Sequence, residues 1–249
     1  MIAIKKDFEA IPPIIRHKAR RDAFEKNKTA GKYCSSDNLY KPKKIKVALD
    51  AIYHRKCAYC EKSLKDADRH VEHYRPKVPY FWLAFSWDNL LIACKKCNEL
   101  KNNKFTEYLE GTQLVYNNET LETAQSQIEN YNKIEQPLII NPEQETKASL
   151  KKHFTFDLKT AEIIPKSIQM ETTKNVCQLN REELIELREP IMTDLKNALL
   201  RRRFKAKTKL ELAKAAIDVI ADFKQKTNNV EIPFVAWRKF VLKNWRELI

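Results

Sequence analysis

His70-Val71-Glu72-His73-Tyr74-Arg75-Pro76-Lys77, set between Cys57-Ala58-Tyr59-Cys60 and Cys94-Lys95-Lys96-Cys97-Asn98, is the stretch on which the reading of this chain turns. Each Cys-x-x-Cys turn brings two sulfurs to the separation that tetrahedral zinc requires, and two such turns close the shell. A four-sulfur shell has no open position for a substrate, so the role expected of Cys57, Cys60, Cys94 and Cys97 is structural. The metal would tie the start of the core to the turn before its helix, and its binding free energy would become folding free energy. Two disulfides, or redox-active dithiols, are the competing readings of the same four residues. Cys34 and Cys177 have no partners at ligand spacing and are read as ordinary thiols.

Outward from this core the chain is basic. Its 249 residues carry 47 Lys and Arg against 33 Asp and Glu, a formal charge of +14. Residues 1–60 hold 15 of the basic and six of the acidic side chains, and Arg201-Arg202-Arg203 with Lys205, Lys207 and Lys209 form a second cluster. Such density suits a polyanion such as nucleic acid, although for a charge run alone a solvated surface is the favoured reading. The two glycines, Gly31 and Gly111, cannot spell a Walker loop or a dinucleotide fingerprint, so any ATP site must lie on another chain. Charged residues interrupt every apolar run before it reaches membrane-spanning length, and the first residues lack the apolar stretch of a signal peptide. The expectation is a cytoplasmic protein with no membrane partner.

The fold class expected is α+β and mostly helical, in three parts. Residues 1–50 read as a basic, Pro-interrupted arm followed by a helix, a docking surface for substrate or partner. Residues 51–110 are the zinc-bound core, and 111–249 a mainly helical region containing a short hairpin. Ile45, Leu49 and Ile52 predict a helix over 43–55, and Leu121, Ala124, Ile128 and Tyr131 predict another. The alternation over 153–164 predicts the hairpin, with the absence of Gly weighing against its turn. Asn180, three residues before Glu183, predicts a capped helix with Leu184, Leu187, Ile191, Leu195 and Leu199 along one face. Further helices are expected over about 205–224 and from near Pro233.

The order acid–His at 72–73, Asn89 before the apolar run Leu90-Leu91-Ile92-Ala93, then Cys-x-x-Cys-Asn-x-x-Lys ending at Lys101, resembles the HNH nuclease family. That resemblance implies a ββα-metal fold: a strand ending at His73, a second strand over Leu90–Ala93, and a helix opening at Asn98. It implies a catalytic set of Glu72, His73, Asn89 and Asn98. His73 would be the general base, since imidazole titrates near working pH. Glu72 and Asn98 would hold Mg²⁺ or a similar hard cation, and Asn89 would pin the backbone beside His73. Arg75, Lys77, Lys101 and Lys104 are the expected phosphate contacts. Many family members have Asp at the position of Glu72 and His at that of Asn98, so the ligand geometry here is its own question. If the chemistry follows the family, products carry 5′-phosphate and 3′-hydroxyl ends.

Cys-Ala-Tyr-Cys-Glu at 57–61, the 70–77 run, Trp-Asp-Asn-Leu-Leu at 87–91, Leu-Ile-Ile-Asn-Pro at 138–142 and Leu-Asn-Arg-Glu-Glu-Leu at 179–184 are similar to the PtuB family. These are nuclease subunits of Septu and retron-associated anti-phage systems. That likeness implies an ABC-type ATPase partner (PtuA-like) and a nucleic-acid target, DNA in one reading and RNA such as tRNA in another. A silent zinc module that only binds nucleic acid or a partner is the reading from a different class.

Overall fold

Ile45, Leu49 and Tyr53 recur at helical spacing, and the segment carrying them folds as a helix with that face wholly buried. In the computed structural model, which describes residues 1–7, 9–34, 39, 43–124, 127–205 and 208–249, this is α2 (Lys43–Tyr53). It follows α1 (Lys18–Ala30) and packs beside an antiparallel pair, β1 (Arg69–His73) and β2 (Leu90–Cys94). The register sets Val71 opposite Ile92, Glu72 opposite Leu91 and His73 opposite Leu90. Every residue of β2 is buried, so its Leu-Leu-Ile-Ala run has no solvent face and no alternation. Helix α3 (Lys95–Lys101) leaves β2 with no loop between them, capped by the Cys94 sulfur, which accepts from Cys97 N at 3.4 Å. Strand, strand and helix thus follow in the order expected, with the helix opening three residues earlier than Asn98.

The connection from β1 to β2 is a tight aromatic knot. Tyr80, Phe81, Trp82, Phe85 and Trp87 are buried along it, and Tyr74 N donates to Asn89 O at 2.9 Å where its two ends meet.

The first residues of the basic arm belong to the core. Residues 1–6 pack against the chain's own core: Ile4 N donates to Pro142 O at 2.9 Å, and Met1, Ile4 and Lys6 are buried. Lys6 Nζ donates to Trp87 O and Leu90 O, each at 2.6 Å, and pairs with Glu143 at 3.1 Å. Tyr53 O–H donates to the same carboxylate at 2.6 Å. A buried ammonium is tolerated only where such partners compensate it, and these lie more than eighty residues away.

The C-terminal region comprises α4 (Ile128–Glu135), α5 (Lys147–His153), the hairpin β3 (Phe154–Phe156) and β4 (Ile163–Pro165), α6 (Ile168–Val176), α7 (Glu182–Lys205), α8 (Lys209–Asn228) and α9 (Val235–Lys243). The helix expected across Leu121–Tyr131 is shorter and later. Leu121 and Ala124 are buried in a turn before α4, and Gln125 and Ser126 lie outside the described residues. The hairpin turns without Gly because Asp157 Oδ1 accepts from Lys159 N and Thr160 N, and Ala161 takes the left-handed conformation at φ 55°. Asn180 does not cap α7. Its side chain accepts from Ile163 N at 2.8 Å and donates to Ile163 O at 3.0 Å, so it holds the hairpin and leaves the first helical carbonyl to Arg181. On α7, Leu184, Ile191, Leu195 and Leu199 are buried, whereas Leu187 is exposed. Arg201, Arg202 and Arg203 are exposed at its end; Lys207 and the side chains of Lys205 and Lys209 lie outside the described residues. Among the described residues no helix is long and apolar enough to cross a membrane.

Candidate metal centres and cleft

The sulfurs of Cys57, Cys60, Cys94 and Cys97 all lie within 4.8 Å of one another, all four residues are buried, and none is disulfide-bonded. A tetrahedral Zn–S bond of about 2.3 Å implies sulfur pairs about 3.8 Å apart, and Cys60 and Cys94 Sγ are separated by 3.9 Å. The donor set therefore fits zinc. Local structure makes the first pair: Glu61 takes a left-handed φ of 62°, so Cys57 N reaches Lys62 O at 3.0 Å and the knuckle closes. Ala58 N then donates to Ile92 O at 2.9 Å, which fastens the knuckle to β2. The second pair straddles the β2–α3 junction.

On the other side of the same three elements lies an open cleft of about 560 Å³, its walls including Lys46, Arg69, His70, Glu72, His73, Lys77 and Asn98. The strand and helix bring Glu72 and Asn98 together: Asn98 Nδ2 donates to Glu72 Oε2 at 2.6 Å. Glu72 Oε1 is buried and pairs with Lys101 Nζ at 2.7 Å. Burial pushes the Glu72 carboxyl up against the opposing pull of Lys101 and Asn98, and a carboxylate beside an amide oxygen is a donor set that suits a hard cation. Among the described residues no second cluster of three or more Cys, His, Asp or Glu accompanies it. A hard cation held there would take its other ligands from Asn98, water and substrate.

His73 Nε2 lies 3.0 Å from Ala84 O. A carbonyl can only accept, so Nε2 is the donor in this contact. Asn89 bridges backbone on both sides of the connection. Its Oδ1 accepts from Arg75 N at 2.8 Å, while its Nδ2 donates to Arg75 O at 3.0 Å and Leu83 O at 3.2 Å. Those bonds hold the turn immediately after His73.

Two expected phosphate contacts are corrected. Arg75 is buried, its Nε donating to Glu135 Oε2 at 2.7 Å and its Nη2 to Asn132 Oδ1 at 2.8 Å. Lys101 is buried beneath the site, donating to His73 O at 2.8 Å and pairing with Glu72. Both charges are compensated inside the protein and cannot reach a phosphate. Lys77 lines the cleft, its ammonium 4.7 Å from the centre of the Tyr33 ring, and Lys104 is exposed. Lys46 and Arg69 on the cleft wall went unread in the sequence, and Arg69 is paired there with Asp50 and, at 2.8 Å, with Asp66. Nothing in their spacing distinguishes them from other surface cations.

This geometry agrees with the comparisons. Residues 57–104 match the family model described as HNH endonuclease. The chain is 37% identical to the Septu protein PtuB of Bacillus mycoides (strain KBAB4), covering 26% of this chain and 28% of that protein, and 44% identical to the Septu protein PtuB of Bacillus thuringiensis, covering 23% of each. It also matches the Septu protein PtuA of the first organism at 26% identity, over 58% of this chain and 20% of PtuA. The matched stretches thus span about a quarter of the length of the PtuB relatives and a fifth of PtuA. No solved structure matches the chain significantly.

Proposed function

We infer that the chain is a metal-dependent HNH endonuclease that hydrolyses nucleic-acid phosphodiester bonds, acting in the cytoplasm as the effector of a Septu-type or retron-associated anti-phage complex with an ABC-type ATPase. The observation that carries this reading is the meeting of Glu72, His73 and Asn98 on the wall of one cleft, backed by a four-cysteine knot. His73 takes the proton from the attacking water, with Nε2 held on Ala84 O so that the ring keeps its orientation. Asn89 holds the adjoining turn and thereby the ring's aim. Glu72 and Asn98 hold Mg²⁺ or a similar cation, which supplies charge neutralisation at the phosphate. Lys101 pairs with Glu72 and opposes the burial that pushes its carboxyl up. Lys46 and Lys77 on the cleft wall and the exposed Lys104 are the cations that guide the backbone. Zinc in the four-cysteine knot holds β2 and α3, and with them the site.

The preferred target is DNA, with products carrying 5′-phosphate and 3′-hydroxyl ends. Similarity to both PtuB and PtuA supports the Septu setting. The test is cleavage of plasmid DNA and of total tRNA in Mg²⁺, with and without the ATPase, comparing wild type and His73→Ala. Wild type is expected to cut DNA and the variant to lose at least about 100-fold in rate. Cutting of tRNA alone would move the target to RNA, and equal cutting by both proteins would remove His73 as the base.

A further inference from the structure

Between α6 and α7 the chain makes a turn that ends on Arg181, which caps α7 with its carbonyl: Leu184 N and Ile185 N donate to Arg181 O at 2.9 and 3.3 Å. Its side chain does not extend into solvent. The guanidinium folds back so that Nη1 donates to Cys177 O at 3.2 Å and Gln178 O at 3.3 Å, and Nε donates to Glu183 Oε2 at 3.2 Å. The fork so fixed faces the knot, with the two N–H of Nη1 shared among these carbonyls and a sulfur. Nη1 lies 3.7 Å from Cys97 Sγ and Nη2 3.9 Å from Cys94 Sγ, both at N–H···S distance.

The turn is built to deliver this fork. Gln178 adopts a left-handed φ of 46°, Asn180 is pinned to both backbone groups of Ile163, and Leu179 O accepts from the buried Arg188 Nη2 at 2.7 Å. Lys62, just beyond the first knuckle, closes the arrangement from the other side by pairing with Glu183 at 2.7 Å and Asp68 at 3.2 Å.

Four thiolates around one Zn²⁺ carry a net charge of −2, and here they are buried. Charge taken out of water needs compensation within the protein, and N–H···S bonds to a thiolate favour it over the thiol that would release the metal. We propose that Arg181 is the outer-sphere partner of the zinc–thiolate knot, neutralising part of its charge and coupling zinc retention to the seating of the C-terminal helices on the nuclease core. Both sulfurs it faces belong to the β2–α3 junction, and Asn98 and Lys101 lie on that helix. Arg181 therefore acts on the cleft through the knot, as a positioning residue.

The inference rests on zinc occupying the four-cysteine site, so metal content of the full-length wild-type chain is measured first; about one zinc per chain is expected. Wild type without zinc would overturn the zinc reading and this inference with it, whereas a zinc-loaded wild type isolates the question of Arg181. Zinc loss into excess chelator is then timed for wild type, Arg181→Lys and Arg181→Gln. Arg181→Gln is expected to release zinc at least about tenfold faster, and Arg181→Lys, which keeps the charge, within about threefold of wild type. A role confined to holding the turn through Cys177 O and Gln178 O predicts equal acceleration in both variants, and that outcome overturns the proposal, as does release within twofold of wild type in Arg181→Gln. If Arg181→Gln does not fold, cobalt-substituted Arg181→Lys carries the test. Because the charge is kept, its thiolate-to-cobalt charge-transfer band is expected to stay close to that of wild type, and a marked shift overturns the proposal.

Discussion

The two faces of the ββα core differ in what they offer a metal. One presents four sulfurs within 4.8 Å of each other, all buried, with a guanidinium behind them. The other presents a carboxylate oxygen and an amide to a cleft of about 560 Å³. A closed soft shell holds a metal for folding, whereas an open hard site leaves positions for water and substrate. The faces are not independent, because Cys97 and Asn98 are consecutive residues of α3. The comparison teaches a direction of dependence: disturbing the knot should ruin the cleft, and disturbing the cleft should spare the knot.

The severest way to break that asymmetry is Cys94→Ser. Structural zinc contributes about 10–16 kcal/mol of apparent binding free energy in small zinc domains, so the variant should lose zinc, cooperative melting and nuclease activity together. A zinc-free variant that still melts cooperatively would refute the dependence. Next comes Lys101→Met, which strands the buried Glu72 carboxylate. Urea unfolding should show a loss of about 3–5 kcal/mol, and a loss below about 1 kcal/mol would mean that cleft water already satisfies Glu72. Glu72→Gln probes the opposite direction. Cleavage should fall on the order of 100-fold, about 2.7 kcal/mol in barrier, while zinc content measured by metal analysis stays at the wild-type level.

Glu143 belongs to neither face and serves as an internal control. Burial pushes its carboxyl from an ordinary value of 4.5 up to about 7. A raised folded-state value means that its contribution to stability is fully present below about pH 4.5 and is lost as pH rises through about 7. Melting temperatures of wild type should therefore decline relative to Glu143→Gln across that window; parallel curves would reject the assignment. The smallest effect belongs to Lys77→Ala, which should reduce the salt dependence of nucleic-acid binding by about one unit of slope and leave stability within about 0.5 kcal/mol.

What could be read in one dimension was local. Cysteine spacing, the acid–His pair and the Asn before an apolar run are short-range patterns, and the structure brings Glu72 against Asn98 and lets Asn89 bridge the turn after His73. Arg75 and Lys101 misled because a basic residue beside a catalytic motif looks the same whether it meets phosphate or a buried carboxylate. Glu135, which decides the matter for Arg75, is 60 residues away. Asn180 misled for a related reason: cap spacing to Glu183 was present, but a strand seventeen residues earlier offered it two hydrogen bonds instead.

By itself the sequence determined the four-sulfur donor set, the order strand, strand, helix, and the residue types at the cleft, because ligand spacing and apolar runs act between near neighbours. Only the tertiary structure decided which cations are spent inside the protein, that residues 1–6 close the chain's own core, and that Arg181 turns back onto the knot. Each of those is the compensation of a buried charge by a group distant in the chain. Such pairings cost free energy unless geometry is met in three dimensions, and no local pattern records them.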